Sequence, residues 1–175
     1  MSLSQFERVE TNVRRLAQNF ADLPVTEALL TRAVIMVGRD INSLLERALK
    51  PAGLAEPEFR LLMALYSHGG NAFAGDLCGA LAQSPANLTR ISDTLVERGY
   101  INRNPDLADR RRMLLALQPA GEKLVRTLVP SIGPEIGAAF ADFTATEKKQ
   151  LLASLKRLMA GIDAINANAA RDEST

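Results

Sequence analysis

One cysteine, one histidine and almost no net charge are the first constraints that this 175-residue chain sets. A single cysteine, Cys78, cannot close a disulfide within the chain, which excludes the stapled frameworks of small secreted domains. His68 and Cys78 alone make too small a donor set for a zinc site, so neither a metal nor another cofactor is expected. A glycine-rich phosphate loop is missing, and no nucleophile, base and acid can be grouped around His68. The chain is therefore not read as an enzyme. Lys and Arg number 21 against 20 Asp and Glu, a formal charge of +1. A protein-wide basic bias for nucleic acid is absent, and any such signal has to be local. No run approaches the roughly 18 uninterrupted apolar residues of a membrane span. The densest patch, Ala28 to Val37, is broken by Thr31 and Arg32. Met1 to Phe20 also lacks the apolar centre of a signal peptide, so a soluble cytoplasmic protein with no membrane partner is expected. Internal repeats and low-complexity tracts are absent too.

Apolar residues are plentiful, at 47% of the chain, enough for a core without covalent staples. Phe6, Val9, Val13, Leu16 and Phe20 recur every three or four positions, which predicts a short amphipathic helix ended by Asp22 to Pro24. Thr26 to Leu49 is apolar on more than one face, the pattern of a helix buried on most sides. Pro51 and Gly53 close it. Glu56-Pro57-Glu58 opens a further helix through Leu65, and His68-Gly69-Gly70-Asn71 stops it. A short helix is expected from about Gly75 to Leu81. Ser84 then caps a helix with Pro85 in its first turn, and Gly99 ends it.

The period then changes. Tyr100 to Arg103 and Met113 to Leu117 read as two short strands around a charged loop, a β-hairpin. Pro119 opens a helix to about Val129, with Pro130 and Pro134 expected to interrupt the next stretch. Thr144-Ala145-Thr146-Glu147 is a capping box. Leu151, Leu155, Leu158, Ile162 and Ile165 behind it form a heptad seam. From Asn166 the chain is polar and is expected to fray.

The sequence of helix, short helix, turn, capped helix, glycine, strand, charged loop and strand carries the functional signal. Two helices joined by a tight turn can present the second to a DNA major groove. Leu88, Ile91 and Leu95 give that second helix an apolar stripe, leaving Ala86, Asn87, Thr89 and Arg90 on or near the other face. Asn and Arg suit two-pronged contacts with adenine and guanine edges, and Ser84 at the helix start suits a phosphate. The hairpin adds Arg110, Arg111 and Arg112 in a row, with Arg103 across from them. From Ser84 to Arg112 there are six arginines against Asp93, Glu97, Asp106 and Asp109. A planar guanidinium fits a narrow, negative minor groove.

Three stretches resemble the multiple-antibiotic-resistance regulator (MarR) family: Ser84-Pro85-Ala86-Asn87-Leu88-Thr89-Arg90, Leu95-Val96-Glu97-Arg98-Gly99-Tyr100-Ile101, and Asp109-Arg110-Arg111 followed by Leu117-Gln118-Pro119-Ala120-Gly121. The resemblance spans about Thr26 to Ile165 and is strongest from Leu77 to Gly121. It implies a mainly α fold with a small β-hairpin wing (α+β), a winged helix-turn-helix flanked by N- and C-terminal dimerisation helices. On that reading residues 1–25 are a helical extension and 26–165 a single domain. Within the domain, 26–50 and 119–165 would dimerise and 56–118 would form the winged module, leaving 166–175 as a tail. The family's aspartate, intervening residue and arginine fall on Asp109 and Arg111. Arg111 is then the groove-inserting residue and Asp109 its brace, while Arg110 and Arg112 serve as backbone contacts or plain surface. The implied function is a homodimeric repressor on a palindromic double-stranded DNA operator, with recognition helices roughly 34 Å apart. Release by a small aromatic or phenolic effector is implied as well. An architectural or co-regulator module with no small ligand is the alternative.

Candidate effector contacts are fewer and less specific. Arg32 and Arg39, seven apart, share a helix face and serve either ion pairs or an anionic effector. Met36, Met63 and Tyr66 either pack the core or line an adaptable pocket. His68 is either a helix-end residue or part of that pocket. Cys78, beside Leu77 and Leu81 with Asp76 as its nearest charge, reads as a small buried residue rather than a redox switch.

Overall fold

A computed structural model describes residues 2–106, 108–109 and 112–172. Its elements run α1 (Ser2–Ala17), α2 (Val25–Leu49), a 3-10 turn (Lys50–Ala52), α3 (Glu56–Ser67), β1 (Asn71–Phe73), α4 (Ala74–Ala80) and α5 (Pro85–Glu97). The remaining elements are β2 (Ile101–Pro105), β3 (Met113–Leu117), α6 (Pro119–Ala138) and α7 (Ala145–Asp172). The chain divides into two compact units, residues 1–132 and 133–175.

The first unit is built on leucines from many short elements. Leu49, Leu61, Leu62, Leu65, Leu77, Leu88, Leu95, Ile101, Leu115 and Val125 form one buried cluster. The expected hairpin is present, with Ile101 opposite Leu117 and Pro105 opposite Met113. A third strand joins it: β1 pairs antiparallel with β3, Asn71 opposite Ala116 and Phe73 opposite Leu114. Three residues are too few to display a period of two, so the sequence pattern reads β1 only as the end of α3. What places it there is the turn. Gly69 and Gly70 take φ of +72° and +93°, conformations open to glycine. Gly70 then donates to Leu65 O and accepts from Leu117 N.

α6 differs from expectation. It runs unbroken through Pro130 and Pro134 to Ala138. Neither proline can donate to the carbonyl four residues back, Arg126 or Pro130. Both prolines are exposed, on the side of the helix opposite the buried Val125, Leu128 and Ile132, where water can take up the freed carbonyls. The first turn of α6 passes so close to the end of α5 that a Cβ on Gly121 would lie 2.3 Å from Tyr100 O.

α7 also exceeds expectation, continuing through Asp172 rather than fraying at Asn166. Its start is as read. Glu147 N donates to Thr144 Oγ1 (3.2 Å) and Thr144 N donates to Glu147 Oε2 (2.8 Å). Among its described residues none is buried within the chain, and Leu151, Leu158, Ile162 and Ile165 of the heptad seam are exposed. α2 likewise was expected to be covered on most sides. Within this chain only Met36 and Leu49 are buried on it, while Leu30, Val34, Ile35, Val37 and Ile41 are exposed. α1 packs along α2. No described helix is long and apolar enough to cross a membrane.

Candidate nucleic-acid interface

α4, a short turn and α5 form the helix-turn-helix. The turn holds Ala82 at φ +50°, the one described non-glycine residue with a positive φ. Arg60 on α3 donates to Leu81 O at 2.8 Å, tying the turn to the core. α5 begins as read: Ser84 Oγ accepts from Asn87 N at 3.2 Å, and Pro85 occupies the first helical position. It ends in a Schellman arrangement, with Gly99 at φ +70° and Tyr100 N donating to Leu95 O at 2.9 Å.

Leu88, Ile91, Ser92 and Leu95 bury one face of α5. Its exposed face carries Ala86, Thr89 and Arg90 toward the N-terminus and Asp93 and Glu97 toward the C-terminus. Three side chains are linked there. Asn87 Nδ2 donates to Gln83 Oε1, and Arg90 donates to Asn87 Oδ1 at 3.0 Å. Thr89 Oγ1 donates to Pro85 O at 2.9 Å. Ser84, Asn87, Thr89 and Arg90 therefore share the first two turns of one helix, the end that a groove-reading helix directs at base edges.

The wing is less evenly basic than its arginine count suggests. Arg110 and Arg111, including the expected groove-inserting residue, lie outside the described residues. Asp109 O accepts from Arg112 N at 2.8 Å, and Asp106 N donates to Arg112 O at 2.9 Å, closing the base of the loop. The Arg112 guanidinium stacks on the Phe73 ring, 3.7 Å from its centroid, and lies 3.6 Å from Asp76 Oδ2. Arg103 reaches α5, donating to Thr89 O at 3.3 Å and to Ser92 Oγ, and pairing with Asp93 at 2.8 Å. Arg98 donates to Gly53 O (2.8 Å) and Ala52 O (3.0 Å) and faces Glu58 at 3.5 Å. Arg98, Arg103 and Arg112 thus tie elements together. Their charge was legible in the sequence; their partners lie far along the chain, 46 positions away for the Arg98 bond to Ala52, and left no local signal.

The six candidate effector residues lie on two helices and at the end of the second. Arg32, Met36 and Arg39 lie on α2, where Arg39 pairs with Asp40 at 3.1 Å and donates to Gln5 at 3.4 Å. Met63 and Tyr66 lie on α3 and pack against the core cluster, with Arg126 5.5 Å above the Tyr66 ring. His68 caps α3, its Nδ1 2.7 Å from Ala64 O. Surface hollows include one of about 520 Å³ at the end of α2 and one of about 260 Å³ between α1 and α2. None of the six residues lines either. Cys78 is half-buried. Among the described residues no acidic, histidine and cysteine cluster could hold a metal ion.

Known proteins share this arrangement. The family model described as MarR matches residues 54–113, which takes in α3 through the start of β3. The transcriptional repressor MprA of Escherichia coli K12 is 30% identical over 91% of this chain and 92% of its own length. The structure of a mutant MarR from E. coli, complexed with operator DNA, superposes with a TM-score of 0.71. It is 25% identical and matches 78% of this chain and 98% of its own. AbsC of Streptomyces coelicolor, a MarR-family regulator, has the same fold, with a TM-score of 0.74 at 23% identity over 79% of this chain and 95% of its own. With sequence likeness across nearly its whole length and a winged helix-turn-helix at its centre, the chain belongs to the MarR family of transcriptional regulators.

Proposed function

We propose that this protein is a cytoplasmic repressor that binds a palindromic DNA operator as a homodimer. The N-terminal turns of α5 enter the major groove and the wing enters the adjacent minor groove. The observation that supports this reading is the capped start of α5, whose first two turns carry Ser84, Asn87, Thr89 and Arg90 outside the buried stripe of Leu88, Ile91, Ser92 and Leu95. Asn87 and Arg90 supply the donors and acceptors for base edges, and Ser84 and Thr89 the shorter contacts to phosphate. Arg111 enters the minor groove and Asp109 steadies it, with Arg110 and Arg112 as backbone contacts or plain surface. Dimerisation accounts for the exposed apolar residues of α2 and α7, which a second copy would bury. Residues 26–50 and 119–165 form that dimerisation region.

The test begins with a footprint on DNA flanking the protein's own gene. On the operator so found, Arg111→Ala weakens binding and lowers the salt slope by about one unit, because one counterion-releasing charge is lost. Arg90→Ala instead relaxes preference at one base pair by about 1–3 kcal/mol. Native binding by both variants would overturn the assignment of helix and wing.

Ligand response is the second half of the proposal: a small aromatic or phenolic effector lowers operator affinity, contacting Arg32, Met36, Arg39, Met63, Tyr66 or His68. The competing reading is a DNA-bound module with no effector. Thermal shift against a panel of aromatic acids, followed by operator titration with any hit, separates the two.

A further inference from the structure

We infer that Arg103 is a positioning residue that locks the wing to the recognition helix, rather than one of the cations that touch DNA. The inference rests on the proposed DNA contact by α5 and the wing, but its geometry stands without DNA. Arg103 sits at the middle of β2, opposite Leu115. Its guanidinium crosses to α5 and meets three acceptors there: Thr89 O at 3.3 Å, Ser92 Oγ, and Asp93 Oδ1 at 2.8 Å. Among the described residues Ser92 is the one buried polar residue, at 1% exposure, and its hydroxyl donates in turn to Thr89 O at 2.9 Å. A buried hydroxyl that donates one hydrogen bond and accepts another is a fixed point. Arg103 is tied to it, and the Arg103 side chain is only 27% exposed.

The location gives the knot its role. Thr89 and Arg90 are proposed to read DNA, and the Thr89 carbonyl is one of the atoms that Arg103 holds. β2 leads directly into the wing loop. A rotation of the wing about its base would therefore have to break a charge-assisted fork on the helix that reads the major groove. Arg103 also lies against Asp93, whose carboxylate is exposed on the same helix face and would otherwise meet phosphate as a like charge. A guanidinium suits this place because its planar fork can satisfy a carbonyl, a hydroxyl and a carboxylate at once. A lysine ammonium in the same place is a point charge without that geometry.

Arg103→Lys separates the two roles, since it keeps the charge and loses the fork. The measurements are operator affinity across a salt series for wild type, Arg103→Lys and Arg103→Ala, and amide exchange of residues 101–105 in the DNA-free protein. The expected result is that both variants bind about tenfold more weakly, a loss of about one charge-assisted hydrogen bond. Their salt slopes stay at the wild-type value, and exchange across β2 speeds up in both. Wild-type affinity for Arg103→Lys, with a slope lowered by about one unit in Arg103→Ala, makes Arg103 a phosphate contact and overturns the inference. Unchanged exchange in β2 overturns it as well, whether or not any operator is found. Failure of the wild-type protein to bind DNA would count against the proposed function instead, leaving the exchange result to decide the strut. Thermal midpoints guard against misfolding. If Arg103→Ala melts early, Arg103→Lys alone still decides, because the two roles predict opposite affinities for it.

Discussion

Gly121→Ala should destabilise the protein, although alanine is the better helix former. In the first turn of α6 a Cβ at position 121 would stand 2.3 Å from Tyr100 O, 2.9 Å from Leu117 Cδ1 and 3.1 Å from Tyr100 C. A leucine methyl can rotate away, but the Tyr100 carbonyl cannot, because it also accepts the Gln118 N–H at 2.9 Å. Tyr100 is itself fixed by its bond to Leu95 O at the end of α5. The added methyl must therefore move α6 away from the α5–β2 corner or break the Gln118 bond. Overpacking of this kind costs about 1–3 kcal/mol. The gain from replacing helical glycine by alanine offsets about 1 kcal/mol of that. The net loss is up to about 2 kcal/mol, a fall in Tm of up to about 8 °C for a chain of this length. Urea unfolding followed by circular dichroism measures it, with an unchanged slope expected. Gly79→Ala is the control. It is the same substitution in α4, where a Cβ would meet nothing within 4 Å, and it should stabilise by about 0.5–1 kcal/mol. If Gly121→Ala unfolds at or above the wild-type midpoint, the close approach is not a real constraint.

Two further predictions concern positions with simpler physics. Ala82 holds φ at +50° in the turn before α5. That conformation costs an L-residue about 1–2 kcal/mol, so Ala82→Gly should raise stability by about 0.5–1 kcal/mol after the entropic cost of glycine. A lower urea midpoint would contradict this. The carboxyl of Glu147 is held below the usual glutamate range by the Thr144 hydroxyl and then by the Thr144 N–H. Because its folded value is depressed, the stabilisation is present above the ordinary value of about 4.3 and is lost as pH falls below that through the folded value. Amide exchange at the start of α7 should therefore accelerate over that range in wild type and lose this pH dependence in Glu147→Gln. Matching pH profiles for the two proteins would remove the capping box as its source.

How much of this was legible depended on whether the deciding contact was local. Ser84, Pro85 and Gly99 bracket α5 through bonds to near neighbours in the chain, so the sequence pattern alone defines that helix. The capping box at Thr144 and Glu147 is equally local. Pro130 and Pro134 misled because the rule for proline concerns a helix in isolation. Their spacing of four puts both on the exposed side of α6, a fact that depends on where the core lies. The apolar girth of α2 was read correctly as composition, but its burial is not supplied by this chain. Arg103 and Arg112 were visible as charge. Their engagement with Ser92 and Phe73 arises only when β2 crosses α5 and β1 pairs with β3.

The two prolines of α6 give that helix an uneven ladder. Between Arg126 and Pro134 two rungs are missing on the outer side, while Val125, Leu128 and Ile132 anchor the inner side. Helical cooperativity depends on each rung supporting the next, so the stretch after Ile132 cannot borrow rigidity from the anchored half. Its amides should exchange on their own, faster clock. A single α-helix would then report two separate opening free energies along its length, with the step falling between Leu128 and Glu135.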